Sequence, residues 1–334
     1  MSSKLKRLYT RLLRKFRTTP KQNQCEFSTC FFIPDKSKGW ILEAAMQEIA
    51  HRMDTPYTFE GNYKKLPEAD CYYFCHYHFY LSALRINPWI AEKNCFAWFT
   101  HPKEEQVPSD TIEKLQSARV ITMSAGWKQY LVDLGLSPDR VTPVVGAADP
   151  TLFQGHQRGS GKIGFCSAFY ERKSPERVLN LVRAMPEHEF VLMGRKWEQF
   201  EHFDELIALP NFEYRQGSYE EYPAFYRDLD VFVSVSQLEG GPIPLLESML
   251  SNVVPVATNT GFAPDVIEHG ENGFLFDADN GSTEEMEQLV RQAITLKTDI
   301  RETALPFSWD QYAEQHIKLF RAAADFGKSK KIAA

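Results

Sequence analysis

Residues 230–276 read DVFVSVSQLEGGPIPLLESMLSNVVPVATNTGFAPDVIEHGENGFLF, and their order decides the fold. The β-branched run from Asp230 to Val235 predicts a strand, the LEGG that follows a tight turn, and the leucine-rich segment from about Pro244 a helix. A second apolar run, 253–257, a turn, a short helix and a third run, 273–276, complete two βα units. Strands this continuously apolar are covered on both faces, as in a parallel sheet. Gly240 and Gly241 let the backbone pass close to a ligand, and the helix behind them offers free N–H groups to an anion. Glu247 is expected in the first turn of that helix, with Glu239 on the strand side of the same turn. Carboxylates so placed accept hydrogen bonds from sugar hydroxyls. Glu247 also reads as an acid complementing the helix dipole, and both readings stand.

Outward from this stretch the alternation continues. Further strands are expected at 28–33, 70–75, 94–100, 119–123, 163–168 and 189–193. Helices fill the gaps, the first from about Trp40 with Ile41, Ala45, Ile49 and Met53 on one face. Ser174 with Pro175, Ser282 with Glu285 and Ser308 with Gln311 mark three helix starts. The pattern lapses between Val144 and Lys162, where QGHQRGSGK (154–162) is glycine-rich and polar, as in a hinge. The organisation read from this is a basic segment 1–24, a first domain 25–153, a linker 154–162, a second domain 163–308 and a terminal helix and tail 309–334. The fold class is α/β, two Rossmann-like domains facing a cleft in which helix N-termini and strand ends form a ligand site.

Across 334 residues, 43% hydrophobic and 25% charged content excludes disorder as a description of the whole. No window approaches 18 apolar residues and no secretory signal stands at the N-terminus, so a cytoplasmic protein is expected. The six cysteines form no CxxC pair and sit in strand-like runs, and no disulfide is expected. A net charge of −6 hides an asymmetry: residues 1–25 hold eight Lys/Arg and no acid, leaving 30 basic against 44 acidic residues, a net −14, for the rest. On the same segment Leu5, Leu8, Tyr9, Leu12 and Phe16 recur at helical spacing before Pro20. Such a stripe among cations over residues 1–19 fits an interfacial helix on an anionic membrane surface, or a solvated tail. Nucleic acid is not expected as a partner, because the acidic body repels a phosphate backbone.

The pair Glu239 and Glu247, as E-x7-E, followed by PVATNTG (255–261) and ENGFLF (271–276), resembles the donor half of retaining glycosyltransferases of the GT-B fold, family GT4. The likeness continues upstream in VVGAADPTLF (144–153) and SAFYERKSPERVLNLV (167–182). Downstream, FSWDQYAEQHIKLF (307–320) resembles the terminal helix that returns to the first domain in that fold. The resemblance implies transfer of a sugar from a nucleotide-diphosphate donor, with retention, to a glycan or lipid-linked acceptor in cell-surface polysaccharide or glycolipid synthesis. It implies no cofactor and no metal. The alternative is a catalytically inactive GT-B protein that binds nucleotide sugar or glycan.

Residue by residue, the resemblance makes Lys173 the phosphate-binding lysine, with Arg172 beside it. Glu247 binds the ribose, Glu239 contacts the donor-sugar hydroxyls, and the backbone of Gly240 and Gly241 lies near sugar and phosphate. On the first domain His101, after the strand CFAWFT, points toward the donor sugar, and Gly39 forms the turn near the diphosphate. His101, Glu239 and Lys173 are the expected catalytic residues. Three departures stand out. Ala168 occupies the place of a partner arginine, for which Arg172 either substitutes or stands as a solvated charge at the helix entry, Pro242 lacks an N–H, and Gly39 stands where relatives have two glycines. The D-x-D pairs Asp228/Asp230 and Asp277/Asp279 fall at element boundaries and are not read as metal ligands. Nor are Cys71, Cys75, His76 and His78, because strand alternation sends neighbours to opposite faces.

Overall fold

Residues 27–39, 41–102 and 107–332 are described by a computed structural model, with side chains to Asp325. The basic segment 1–24 and its expected membrane-facing stripe lie outside the described residues. The chain divides into two compact units, one ending at Val144 and resumed at Trp309, the other Val145–Ser308.

The first unit holds six parallel strands: β1 (Thr29–Phe32), β2 (Tyr57–Glu60), β3 (Cys71–Phe74), β4 (Asn94–Phe99), β5 (Arg119–Thr122) and β6 (Val141–Pro143), in the order β2-β1-β3-β4-β5-β6. Every residue of β1 and β3 is buried, which is why they read as unbroken apolar runs. Helix Ile41–His51 follows β1 and buries Ala45, Met46 and Ile49. Ile41 does not join that face: it opens the first turn, beyond the strand ends, and is 45% exposed.

The closing helix, Trp309–Ile332, packs back on this sheet, its Phe320 ring 4.9 Å from Phe96 and 5.6 Å from Tyr73 between centroids. His316 of the same helix is buried, with Nδ1 2.8 Å from the Tyr312 carbonyl. Nδ1 therefore carries the proton, and Nε2 accepts from the Tyr73 hydroxyl at 3.1 Å. Burial pulls the imidazole down to about 4 and keeps it neutral.

The second unit holds β7 (Ile163–Ala168), β8 (Phe190–Arg195), β9 (Phe212–Arg215), β10 (Val231–Ser234), β11 (Val254–Thr258) and β12 (Phe274–Phe276), all parallel, in the order β12-β11-β10-β7-β8-β9. Counted from β9, this is the doubly wound order 3-2-1-4-5-6, and the winding reverses between β7 and β10.

Of the twelve strands among the described residues three, β2, β6 and β9, are not expected from the sequence, and all three are sheet edges. An edge strand is covered on fewer sides and needs less apolar sequence. YTFE of β2 is mostly exposed, FEYR of β9 buries no residue, and β6 is three residues long.

Residues 154–162 are not a hinge in this structure. They belong to the second unit, and the chain passes between units at Val144–Val145 and Ser308–Trp309. The polarity of the segment serves local bonding instead. Arg158 donates to the carbonyls of Asn252, Leu296 and Thr298. The amides of Gly159, Ser160 and Gly161 all point at the Asp230 carboxylate, at 2.9, 3.2 and 2.7 Å. Burial alone would raise Asp230, but these amides overcome it and hold the carboxyl below its usual range. Gly161 has φ +72, the left-handed conformation that such a wrap requires and glycine adopts without strain.

Of the helix starts, Ser282 caps as expected, its hydroxyl accepting from the Glu285 amide at 3.2 Å. Ser174 precedes helix Pro175–Ala184 but makes no side-chain cap. It sits at φ +51, which turns the chain out of the loop holding Arg172 and Lys173.

Candidate functional site

Because the winding reverses between β7 and β10, the loops that leave their carboxyl ends diverge and open a crevice. The loop after β7 carries Arg172 and Lys173, and the loop after β10 carries Glu239, Gly240 and Gly241. The Gln237 amide donates to the Arg172 carbonyl at 2.9 Å and ties one loop to the other. Glu239 is 5% exposed, and its Oε1 is paired with the Lys173 ammonium. Arg172 donates to the Leu238 carbonyl at 2.6 Å and lies 3.3 Å from Glu239 Oε2. This is more than a solvated charge at a helix entry. Burial would raise Glu239, but Lys173 first and Arg172 second outweigh it and hold the carboxylate ionised.

The Glu239 amide donates to the Thr260 hydroxyl at 3.2 Å. Gly261 stands next to it at φ +61, where a Cβ would lie 2.9 Å from the Glu239 Cβ and 3.2 Å from Pro242. Neither Thr260 nor Gly261 is picked out by sequence as a site residue, although both lie in the TNTG turn. Gly240 is buried and Gly241 half-buried. Pro242, without an N–H, leads into helix Ile243–Leu250, and its carbonyl accepts from Leu245 at 2.8 Å. Beneath the two loops lies a cavity of about 30 Å³, lined by Cys166, Ser167, Lys173, Trp197, Ser236 and Glu239 among others. That is the space of one water, so a ligand of nucleotide size lies over this floor and not within it.

Glu247 corrects one expectation. The helix begins at Ile243, so Glu247 lies in its second turn, is 2% exposed and does not serve the helix dipole. Its carboxylate accepts from the Tyr219 hydroxyl at 2.8 Å and the Tyr226 hydroxyl at 2.9 Å. Burial pushes its pKa up to about 7 against the opposing effect of both tyrosines. Those tyrosines were missed in the sequence, although with Tyr222 they recur at helical spacing in YEEYPAFY (219–226). Tyr226 is fully buried, whereas Tyr219 is 41% exposed.

His101 and Gly39 belong to the first unit. His101 stands just beyond β4, half-buried, with Nδ1 3.1 Å from the Thr100 hydroxyl. Gly39, at φ +79, closes the turn after β1, and its amide donates to Glu43 at 2.5 Å. Both lie at the carboxyl edge of one parallel sheet, with β3 between their strands. The D-x-D aspartates are occupied locally: Asp230 by the loop amides, and Asp277 by the amides of Asp279 and Asn280. No group of three or more potential metal-binding side chains is found among the described residues.

Several solved structures share this fold. Anabaena Alr3699/HepE, crystallised with UDP, aligns at a TM-score of 0.73 and 15% identity, over 88% of this chain and 99% of its own. A glycosyltransferase of Rickettsia africae aligns at 0.70 and 13%, over 90% and 99%. The lipopolysaccharide outer core galactosyltransferase WaaB aligns at 0.67 and 12%, over 88% and 99%. These likenesses establish the GT-B class of two Rossmann-like α/β domains. A comparison with curated proteins finds no match. The family model for glycosyl transferases group 1 matches residues 153–316, a span that contains Arg172, Lys173, Glu239 and Glu247. The matched span takes in nearly all of the second unit.

Proposed function

We propose that the protein is a retaining glycosyltransferase of family GT4, which binds a nucleotide sugar on its second unit and passes the sugar to a glycan or lipid-linked acceptor. The observation that carries this reading is the placement of Lys173, Arg172 and Glu239 together at the switch point. As the bond from the anomeric carbon to the diphosphate breaks, negative charge grows on the phosphate oxygens and the sugar becomes oxocarbenium-like. Fixed cations lower the energy of that state more than of the ground state. Lys173 supplies the nearer charge, and the expectation of metal independence rests on this pair. Glu239, held ionised, accepts hydrogen bonds from sugar hydroxyls, and Glu247 does so from the ribose. On the first unit His101 and Gly39 are assigned to the donor sugar and the diphosphate turn. The likeness to HepE, crystallised with UDP, supports a nucleoside diphosphate as the leaving group.

A thermal-shift screen of nucleotide sugars tests the reading. A bound donor at 100 times its dissociation constant stabilises the fold by about 2.7 kcal/mol. Mass spectrometry then detects the product, and NMR of the new anomeric centre shows retention. Absence of stabilisation by every donor removes the proposal. Binding without product would assign the second reading, an inactive GT-B protein, which the absence of an arginine at Ala168 favours.

No helix among the described residues is long and apolar enough to cross a membrane. We place the protein in the cytoplasm, with residues 1–19 lying on an anionic membrane surface near a lipid-linked acceptor. Deleting residues 1–20 is then expected to abolish sedimentation with anionic vesicles, while transfer to a soluble acceptor analogue stays near the parental level. Full-length protein that fails to sediment at low salt sinks this placement.

A further inference from the structure

We propose that Tyr219 gates the ribose subsite of the second unit: its hydroxyl holds the place on Glu247 Oε1 that a ribose hydroxyl takes, and its side chain turns away when a nucleotide enters. The proposal rests on the donor-site reading above and adds to it a positioning residue that sets nucleotide affinity. Each carboxylate oxygen of Glu247 accepts from one phenol, Oε1 from Tyr219 at 2.8 Å and Oε2 from Tyr226 at 2.9 Å. Glu247 is 2% exposed, so a sugar hydroxyl reaches it only where one of these phenols gives way.

The two tyrosines differ in their freedom to do so. Tyr226 has no exposed surface, and its ring lies 5.1 Å from Phe225, 5.7 Å from Phe153 and 6.0 Å from Phe232 between centroids. Turning it out would open a packed core. Tyr219 is 41% exposed, with its ring 6.0 Å from Phe153 and 5.4 Å from Tyr222. The backbone beneath it is pinned by a closed capping box, in which the Ser218 hydroxyl accepts from the Glu221 amide and the Glu221 carboxylate accepts from the Ser218 amide at 2.7 Å. Movement is thereby confined to the Tyr219 side chain, and a change of its rotamer uncovers Oε1 without unfolding the turn.

The exchange is chemically conservative. A phenol O–H that donates to the carboxylate is replaced by an alcohol O–H that donates to the same oxygen, so the buried acceptor is not left short of a donor. Tyr226 stays on Oε2 and orients the carboxylate throughout. A nucleotide that lacks the matching hydroxyl offers Oε1 nothing and leaves Tyr219 in place. In the empty protein the arrangement with Tyr219 turned away is the minor one, and the apparent affinity for nucleotide is lowered by the fraction of molecules that hold it. Removing the phenol hydroxyl removes that cost.

Calorimetry of Tyr219→Phe and Tyr226→Phe against the parent at pH 8 tests this. The probes are uridine, guanosine and adenosine diphosphates, followed by the 2′-deoxy and 3′-deoxy forms of whichever binds the parent. Tyr219→Phe is expected to bind that diphosphate about 5- to 10-fold more tightly, while urea unfolding shows a cooperative fold less stable than the parent. A merely structural tyrosine does not give that combination. Tyr226→Phe loses a bond that persists in the complex and is expected to gain no affinity. The tightening in Tyr219→Phe is expected to vanish for at least one of the two deoxy forms, the one that lacks the hydroxyl bonded to Oε1. Unchanged or weaker binding by Tyr219→Phe overturns the proposal, as does a tightening that Tyr226→Phe shares or that persists with both deoxy forms. A parent that binds none of the three diphosphates overturns the donor-site reading, and the gate with it.

Discussion

Lys173→Ala is expected to lower transfer by about two to three orders of magnitude, because it removes the nearer fixed charge from the departing diphosphate. It is also expected to destabilise the fold, by up to about 3 kcal/mol, for a separate reason: Glu239 is 6% exposed in its side chain and loses the ammonium paired with its Oε1, while Arg172 stays 3.3 Å from its Oε2. Glu239 now has a lowered pKa, so its contribution is present above its unfolded value near 4.5 and is lost as pH falls through the folded one. Without Lys173 the carboxyl rises toward neutrality, and the variant loses stability at neutral pH and keeps more of it in mild acid. The double variant Lys173→Met/Glu239→Gln separates the two effects. Urea unfolding is expected to show most of the lost stability returned, since no buried charge remains unpaired, while transfer stays absent. Recovery of turnover in the double variant would mean that Lys173 acts only by neutralising Glu239.

The parts legible in the sequence are those that a single chain segment decides. β7, β10 and β11 announce themselves because burial on both faces leaves no room for charged residues, and the turn between β10 and its helix is marked by two glycines. Three of the four edge strands, β2, β6 and β9, do not stand out because their environment asks for no such pattern, whereas the edge strand β12 does, with its burial pattern of two buried residues in three. Residues 154–162 looked like a hinge because glycine and polarity are the shared marks of flexible linkers and of loops that wrap a carboxylate. What distinguishes them is the position of Asp230, about 70 residues later, which no local window reports. The same limit explains the site. Glu239 and Lys173 stood out singly, but their pairing depends on β7 lying beside β10 across a topological reversal. Glu247 falls in the second turn and not the first because the helix starts one residue earlier than expected, at Ile243, and Pro242, Pro244 and the glycines all mark a start without fixing it.

Glu247→Gln is the second substitution with a large expected effect, and it acts through pH. Burial raises Glu247 from 4.5 to about 7 in the folded protein, so the native state holds a proton that the unfolded chain releases. The native advantage is full below the unfolded value and is lost as pH rises through about 7, a decline of about 3 kcal/mol in total. Glutamine carries no such proton. The stability of Glu247→Gln relative to the parent is therefore expected to improve between pH 5 and pH 9 by about that amount, as read from urea unfolding at each pH. Nucleotide binding is expected to move the other way. A ribose that donates to this carboxylate displaces the exposed Tyr219 hydroxyl and favours the ionised form, so the parent binds nucleoside diphosphate more tightly as pH passes through 7 and releases a proton on binding. The variant, with a neutral acceptor, binds about tenfold more weakly at pH 8 and without that pH dependence. A stability difference that stays flat from pH 5 to pH 9 means that Glu247 is ionised throughout in the parent. An unchanged affinity for nucleoside diphosphate in the variant takes the ribose role away from it.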